Sequence, residues 1–220
     1  MSAVYPLSDI KSSIVIVLDT CVLVSDSLYN DQNHKTSQCL VDAVCNKKLG
    51  FATSFTIKRA KNTISRLSGD MKRFKSVMDN IHVVDSDQIP ICLRSKAASA
   101  YNEIVCAVKT EMYIPMTRGY GYYRGLGREL RRFQEDEFWK SRNVANQKPF
   151  FLPLDQADIE TLSCAILLKT TTPCVFIASV DKHFVSIKHH GTIYKTIPDK
   201  IYERFGIICK HPKWILEAIR

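Results

Sequence analysis

Two short apolar runs rich in Val and Ile constrain the fold more than any other feature of this sequence. They are IVIVL at 14–18 and PCVFIAS at 173–179. Neither run alternates polar with apolar residues, so each predicts a strand buried on both faces, as in the middle of a parallel sheet. The stretches between them carry helical spacing, and an alternation of strand with helix is typical of α/β domains. The sequence therefore predicts a three-layer α/β/α fold with a central, mostly parallel sheet.

The remaining elements are predicted from weaker signals. FATS at 51–54 and IHVVD at 81–85 indicate two more short strands. Helical spacing predicts helices at 36–50, 92–108 and 155–170, and one or two more at 56–78 with a break near Ser68-Gly69. The C-terminal tail is typical of one strand and two short helices.

Residues 110–153 interrupt this alternation. They contain four glycines, closely spaced aromatic residues and charges of both signs. We expect an insertion here, with one helix near 126–142, carried within a single domain that spans residues 1–220.

The overall charge limits the class of partner. The formal net charge is +9 at pH 7, and 45% of the 220 residues are hydrophobic. Clustered Lys and Arg gain affinity for phosphates by releasing counterions, so a basic globular chain favours a polyanion such as RNA. A basic surface that is merely solvated is the alternative, and charge alone leaves the two about even.

The sequence predicts a cytoplasmic protein with no membrane partner. No apolar run approaches the ~20 residues that a membrane helix needs. The start, MSAVYPLSDIKSS, lacks the basic residues and long apolar stretch of a signal peptide. The eight cysteines are scattered within apolar runs, and we expect them to be reduced core residues.

Three aspartates are predicted to meet at one edge of the sheet. Asp19 follows the strand at 14–18, and Asp181 comes two residues after the strand at 173–179. Asp158 lies in the first turn of the helix that leads into the strand at 173–179, so we expect it beside the same edge. Each acid alone is more often a helix cap. Three carboxylates together favour a hard divalent ion, Mg²⁺ or Mn²⁺.

The same stretches resemble the motifs of the PIN-domain nucleases. VIVLDTCVLV at 15–24 is similar to that family's first strand and its Asp-Thr turn. LDQADIETLSCAILL at 154–168 resembles the family's acidic helix start, and VFIASVDKHF at 175–184 resembles its strand followed by a Ser/Thr-x-Asp motif. The resemblance covers roughly residues 12–80 and 152–200.

The resemblance implies a role for each matched residue. Asp19, Asp158 and Asp181 would be the catalytic, metal-binding carboxylates, and Thr20 and Ser179 would orient them through hydrogen bonds. The family usually adds a Glu on the helix that follows its second strand, which in this sequence is the strand predicted at 51–54. That helix has no acid here, and Lys58, Arg59 or Lys61 stands at the expected position. One metal could be held less tightly, the site could be inactive, or another acid could substitute, the candidates being Asp26, Asp155 and Glu160.

By this resemblance we expect a metal-dependent endoribonuclease that hydrolyses RNA phosphodiesters in RNA processing or decay. Single-stranded DNA stays open as a substrate. A toxin ribonuclease of a toxin-antitoxin pair is one alternative, although the chain is large for it. A non-catalytic RNA-binding or scaffold protein with a degenerate site is another. A homodimer and a regulatory protein partner are also left open.

The predicted insertion offers a surface for RNA. Bases can stack on aromatic rings while guanidinium groups hold the phosphates. The candidate contacts are Arg118, Tyr120, Tyr122, Tyr123, Arg124, Arg128, Arg131 and Arg132. For the aromatic residues, packing in a surface helix of mixed charge is an equal alternative.

Overall fold

The structure is a computed structural model that describes residues 13–117, 156–181, 184–185, 188–189, 192–193 and 197–219. Side chains are described for these residues except 105–117 and the two short segments at 188–193. Asp155 and all eight predicted RNA contacts between 118 and 132 lie outside the described residues, as does the predicted helix near 126–142.

A five-stranded parallel sheet forms the centre of the fold. In chain order its strands are β1 (Ile14–Leu18), β2 (Gly50–Thr53), β3 (His82–Val84), β4 (Cys174–Ala178) and β7 (Ile207–Lys210). In space the order is β3-β2-β1-β4-β7, and every neighbouring pair is parallel. A separate antiparallel pair consists of β5 (Lys188–His189) and β6 (Thr192–Ile193). The predicted fold class, an α/β sheet flanked by helices, is confirmed.

Helices connect the parallel strands. They are α1 (Thr20–Ser27), α2 (His34–Lys47), α3 (Ser54–Arg66), α4 (Met71–Met78), α5 (Ile91–Thr117), α6 (Gln156–Lys169), α7 (Ile197–Phe205) and α8 (Pro212–Ala218). The strands predicted at 14–18, 51–54, 81–85 and 173–179 all form, each within one residue or so of its predicted bounds.

Two apolar cores cover the two faces of the sheet. Successive β1 side chains point to opposite faces, so Val15 and Val17 pack beneath α5, α6 and α7 while Ile16 and Leu18 pack beneath α1, α2 and α8. All four side chains are fully buried. This two-sided burial explains why the run at 14–18 shows no alternation of polar and apolar residues.

Helix α1 was not predicted from the sequence. Its residues, TCVLVSDS, have little amphipathic spacing, and the run CVLV continues the apolar character of β1. The helix nevertheless begins at Thr20, because the Asp19 carboxylate accepts a hydrogen bond from the Thr20 N–H and acts as its N-cap. Val22 and Leu23 are then buried against the sheet.

The predicted break between the two helices at 56–78 is confirmed. Ser68 has a positive φ of 55°, and the adjacent Gly69 approaches another part of the chain closely. A Cβ atom at Gly69 would lie 2.9 Å from the Ser27 carbonyl oxygen. Only glycine fits this approach, which lets the Asp70 N–H donate to the same carbonyl at 2.8 Å.

Helix α5 crosses the predicted start of the insertion. It continues to Thr117, so residues 110–117, assigned to the insertion from their sequence, are helical. No helix in the described ranges is both long and apolar enough to span a membrane. The seven cysteines whose side chains the structure describes are free thiols, and Cys39 and Cys92 are exposed where core positions were expected.

Candidate functional site

The predicted acids lie at the carboxyl edge of the two central strands. Strands β1 and β4 pair in parallel with Leu18 opposite Ala178, so the residues that follow them, Asp19 and Ser179, lie side by side. Asp181 comes two residues further on and is exposed. The sheet therefore brings together side chains that are about 160 residues apart in the chain.

Asp19 is held by three hydrogen bonds. Its Oδ1 accepts the Thr20 N–H at 2.6 Å, and its Oδ2 accepts the Ser179 hydroxyl at 2.7 Å and the Cys21 thiol at 2.9 Å. Asp19 is 2% exposed. A carboxylate oxygen has two acceptor sites, so Oδ2 is occupied and Oδ1 keeps one site that no described residue uses.

Ser179 and Cys21 tie the end of β4 to this carboxylate. The Cys21 sulfur lies 3.2 Å from Ser179 Oγ and accepts the Val180 N–H at 3.3 Å. Ser179 Oγ also accepts the Asp181 N–H at 2.9 Å. The backbone that carries Asp181 is thereby fixed relative to Asp19.

Asp158 lies in the first turn of α6, where the partial positive charge of the helix N-terminus favours an acid. Its side chain is buried, at 7% exposure. Burial of Asp19 and the negative charges of Asp158 and, more weakly, Asp181 raise the pKa of Asp19 from 3.8 to about 6. The three predicted carboxylates therefore share one electrostatic environment.

Tyr101 belongs to the same environment. This residue of α5 is fully buried, and burial, Asp158 and Asp181 together raise the pKa of its phenol well above the ordinary value. Sequence reasoning missed Tyr101, because its spacing from the buried Ala97 and Ile104 on α5 is that of an ordinary core residue.

Carboxylate oxygens are the ligands that hard cations prefer. A buried carboxylate with like charges nearby is also stabilised by a positive charge that binds it, so the donor chemistry of the site fits a hard cation. The side-chain positions do not form a complete coordination shell. Across the described ranges, no group of three or more His, Cys, Asp or Glu side chains is positioned to hold a metal ion. An ion bound here would have to draw Asp158 and Asp181 towards Asp19.

Two acids proposed as substitutes for the missing Glu are already paired. Asp26 is 1% exposed and accepts from Arg73, whose Nη2 lies 2.7 Å from its Oδ1. Glu160 is also 1% exposed, and its Oε1 lies 3.0 Å from Arg94 Nε. Each carboxylate is ion-paired with its own arginine, although Glu160 Oε2 is buried and has no hydrogen-bond partner among the described residues. The third candidate, Asp155, lies outside the described residues.

The lysines and arginine at the expected Glu position point outwards. Lys58, Arg59 and Lys61 are exposed on α3. The inner side of the same helix turn is occupied by Thr56, whose hydroxyl lies 2.9 Å from Thr53 Oγ1 and 3.5 Å from Thr161 Oγ1. Threonine hydroxyls thus fill the space between α3 and α6 where an acid was sought.

The predicted supporting residues act in different ways. Ser179 orients Asp19 through its hydroxyl, as expected. Thr20 acts through its backbone N–H instead, and its buried hydroxyl finds no hydrogen-bond partner among the described residues. Cys21 was not predicted as a site residue, because the helix whose first turn brings its thiol to Asp19 was not predicted either.

Comparison with known proteins identifies no relative of this sequence. No protein-family model matches the sequence, and neither a curated protein nor a solved structure matches it. The resemblance to PIN-domain nucleases therefore depends on the three sequence motifs that carry Asp19, Asp158 and Asp181.

Proposed function

We propose that this protein is a divalent-metal-dependent endoribonuclease of the PIN-domain type that hydrolyses RNA phosphodiesters in RNA processing or decay. The observation that carries the proposal is Asp19, a buried carboxylate that Ser179 and Cys21 hold at the carboxyl edge of a parallel sheet and whose pKa is raised by burial and by the charges of Asp158 and Asp181. Keeping such a group buried and charged disfavours the folded state, and this cost suits a site built to bind a cation.

The role of each acid in binding the ion would depend on how exposed its side chain is. Asp19, fixed by Ser179 and Cys21, would be the rigid ligand for Mg²⁺ or Mn²⁺. Asp181 is exposed and would complete the coordination from the solvent side. Asp158 would act from the first turn of α6 as a ligand or by orienting a water molecule.

When bound, the ion would supply a water of lowered pKa and neutralise charge on the phosphodiester. Tyr101 is fully buried in the apolar core between α5 and α6 and would help to exclude water from the acids. A cytoplasmic location and RNA as the substrate belong to the same proposal.

The test combines ion binding with cleavage. Mn²⁺ should raise the melting temperature of the wild-type protein, because a ligand at a hundred times its Kd stabilises the folded state by about 2.7 kcal/mol. A fluorescent single-stranded RNA should be cleaved in the presence of Mn²⁺. Asp19→Asn and Asp181→Asn should each lose both responses, with cleavage slower by roughly a hundredfold or more.

A matched control is Asp79→Asn. Asp79 is an exposed aspartate at the end of α4, and its replacement should leave ion binding and cleavage unchanged. Wild-type protein that binds no divalent ion and leaves the RNA intact would overturn the proposal.

A non-catalytic RNA-binding or scaffold protein is the second candidate. It is favoured by the basic character of α3, which has no acid, and by the pairing of Asp26 and Glu160 with arginines. In that case wild-type protein would bind RNA without cleaving it, and Asp19→Asn would leave the RNA affinity unchanged.

A further inference from the structure

One face of α3 carries cations and no acid. The exposed residues of this helix are Lys58, Arg59, Lys61, Asn62, Ser65 and Arg66. At 100° per residue they fall within one half of the helix circumference, opposite the buried Thr56, Ala60 and Ile64. We call this group of six residues the α3 basic face. Ordinary solvated helix faces mix charges of both signs, and this face has four cations and no anion.

Three of the four cations of this face have no ion-pair partner among the residues that the structure describes. Lys58, Lys61 and Arg66 form no ion pair with any residue that the structure describes. By contrast Arg73, on the neighbouring α4, is held by Asp26 and Asp42. Lys58, Lys61 and Arg66 are therefore available to an external anion.

The α3 basic face begins at the site edge of the sheet. Helix α3 starts directly after β2, the neighbour of β1, and Thr56 in its first turn lies 3.5 Å from Thr161 of α6, the helix that carries Asp158. From Lys58 to Arg66 the face extends about 12 Å along the helix axis, since each residue rises ~1.5 Å. It is long enough to contact more than one phosphate.

We propose that the α3 basic face binds the phosphate backbone of single-stranded RNA next to the carboxylate site. This rests on the proposed function in one respect, namely that RNA is the polyanion that approaches the acids. The physical need is clear, because Asp19, Asp158 and Asp181 repel a phosphodiester, and flanking cations offset that repulsion. The missing Glu is then one aspect of a helix that is basic along its whole exposed side.

The face suits a nucleic acid better than an anionic membrane. Its exposed residues are all polar, whereas helices that lie on membranes carry large apolar side chains next to their cations. Leu67, just beyond the helix, is exposed, but a single leucine does not make an inserting surface.

The experiment measures binding of a fluorescent single-stranded RNA by anisotropy, in EDTA so that cleavage plays no part, as a function of salt. The double variant Lys58→Ala/Lys61→Ala should bind several-fold more weakly. Its slope of log K against log salt should be shallower by about 1.4, because each phosphate contact on a single strand contributes about 0.7.

The matched control is Lys72→Ala/Lys75→Ala. These two exposed lysines have the same spacing on α4, the helix that leads into the start of β3 and so towards the opposite edge of the sheet. The control should keep the wild-type slope, and Lys58→Arg/Lys61→Arg should keep it too.

Three results would overturn the inference: no salt-dependent RNA binding by wild type, equal loss in both double variants, or binding to vesicles of anionic phospholipid that depends on Lys58 and Lys61 while RNA is ignored. Failure of the proposed nuclease is distinguishable, since RNA that binds through Lys58 and Lys61 but is never cleaved with Mn²⁺ supports this surface and rejects the enzyme.

Discussion

Ser179 Oγ lies 2.7 Å from Asp19 Oδ2 and donates a hydrogen bond that joins the ends of β4 and β1. The same oxygen of Ser179 accepts the Asp181 N–H. One hydroxyl therefore sets the position of a buried acid and of the backbone that presents an exposed one. The following predictions test how these contacts control stability and ion binding.

Asp19→Asn should stabilise the metal-free protein at pH 8. The shift of the Asp19 pKa from 3.8 to about 6 corresponds to about 3 kcal/mol of unfavourable free energy for the charged form. An amide of the same shape removes this cost, less about 1 kcal/mol for each hydrogen bond from Ser179 or Cys21 that its nitrogen cannot accept. We expect a gain of about 1–3 kcal/mol in the free energy of unfolding, measured by urea denaturation in EDTA. A loss of stability would contradict the electrostatic account of the site.

The free energy of unfolding should also decrease as the pH rises through a defined range. Because the folded-state pKa of Asp19 is raised, the folded protein holds this proton more tightly than the unfolded chain does. The wild-type free energy of unfolding, relative to that of Asp19→Asn, should therefore decrease as the pH rises from about 4 to about 6 and stay constant above. Urea titrations at several pH values measure this difference, and parallel curves for the two proteins would count against it.

Cys21→Ala should change which ions the site accepts, if the proposed metal site exists. The thiol occupies an acceptor site on Asp19 Oδ2, leaving one free site on Oδ1. Single-oxygen binding suits Mg²⁺, while Ca²⁺ readily takes both oxygens of a carboxylate. Melting-temperature shifts with each ion should show Mg²⁺ preferred by wild type and Cys21→Ser, and a smaller preference in Cys21→Ala. The same preference in all three proteins would show that the thiol does not control coordination.

Arg94→Met should be strongly destabilising. It leaves Glu160, 1% exposed, without its positive partner at 3.0 Å, and an uncompensated buried charge costs about 3–5 kcal/mol. The double variant Arg94→Met/Glu160→Leu should recover most of the loss in urea denaturation. Glu160→Gln should leave the Mn²⁺-induced rise in melting temperature unchanged, and a loss of that rise would restore Glu160 as a candidate ligand.

Much of the fold could be predicted because the two central strands are buried on both faces, which gives an apolar run with no alternation. The sequence also predicted that Asp19 and Asp181 follow the two central strands, and they do follow β1 and β4. Helix α1 was not predicted, although Asp19 was a candidate cap, because its residues lack helical spacing and continue the apolar run of β1. Cap geometry is not visible in hydrophobic spacing.

The ion pairs that Asp26 and Glu160 form with arginines could not be predicted from the sequence either. Each is paired with an arginine far away in the sequence, Arg73 in one case and Arg94 in the other, and no local pattern links them. Tyr101 meets the acids only because α5 packs against α6. Partners of this kind depend on tertiary packing, which a single sequence does not specify.

The pairing of β1 with β4 has a consequence during synthesis. The strand at 14–18 leaves the ribosome well before the neighbour that pairs with it, at 174–178. Until then β1 has an open edge, and Asp19 has neither Ser179 nor the acids at 158 and 181 beside it. A nascent chain therefore cannot bring these acids together, and any activity that depends on them begins only after residue 181 has emerged from the ribosome.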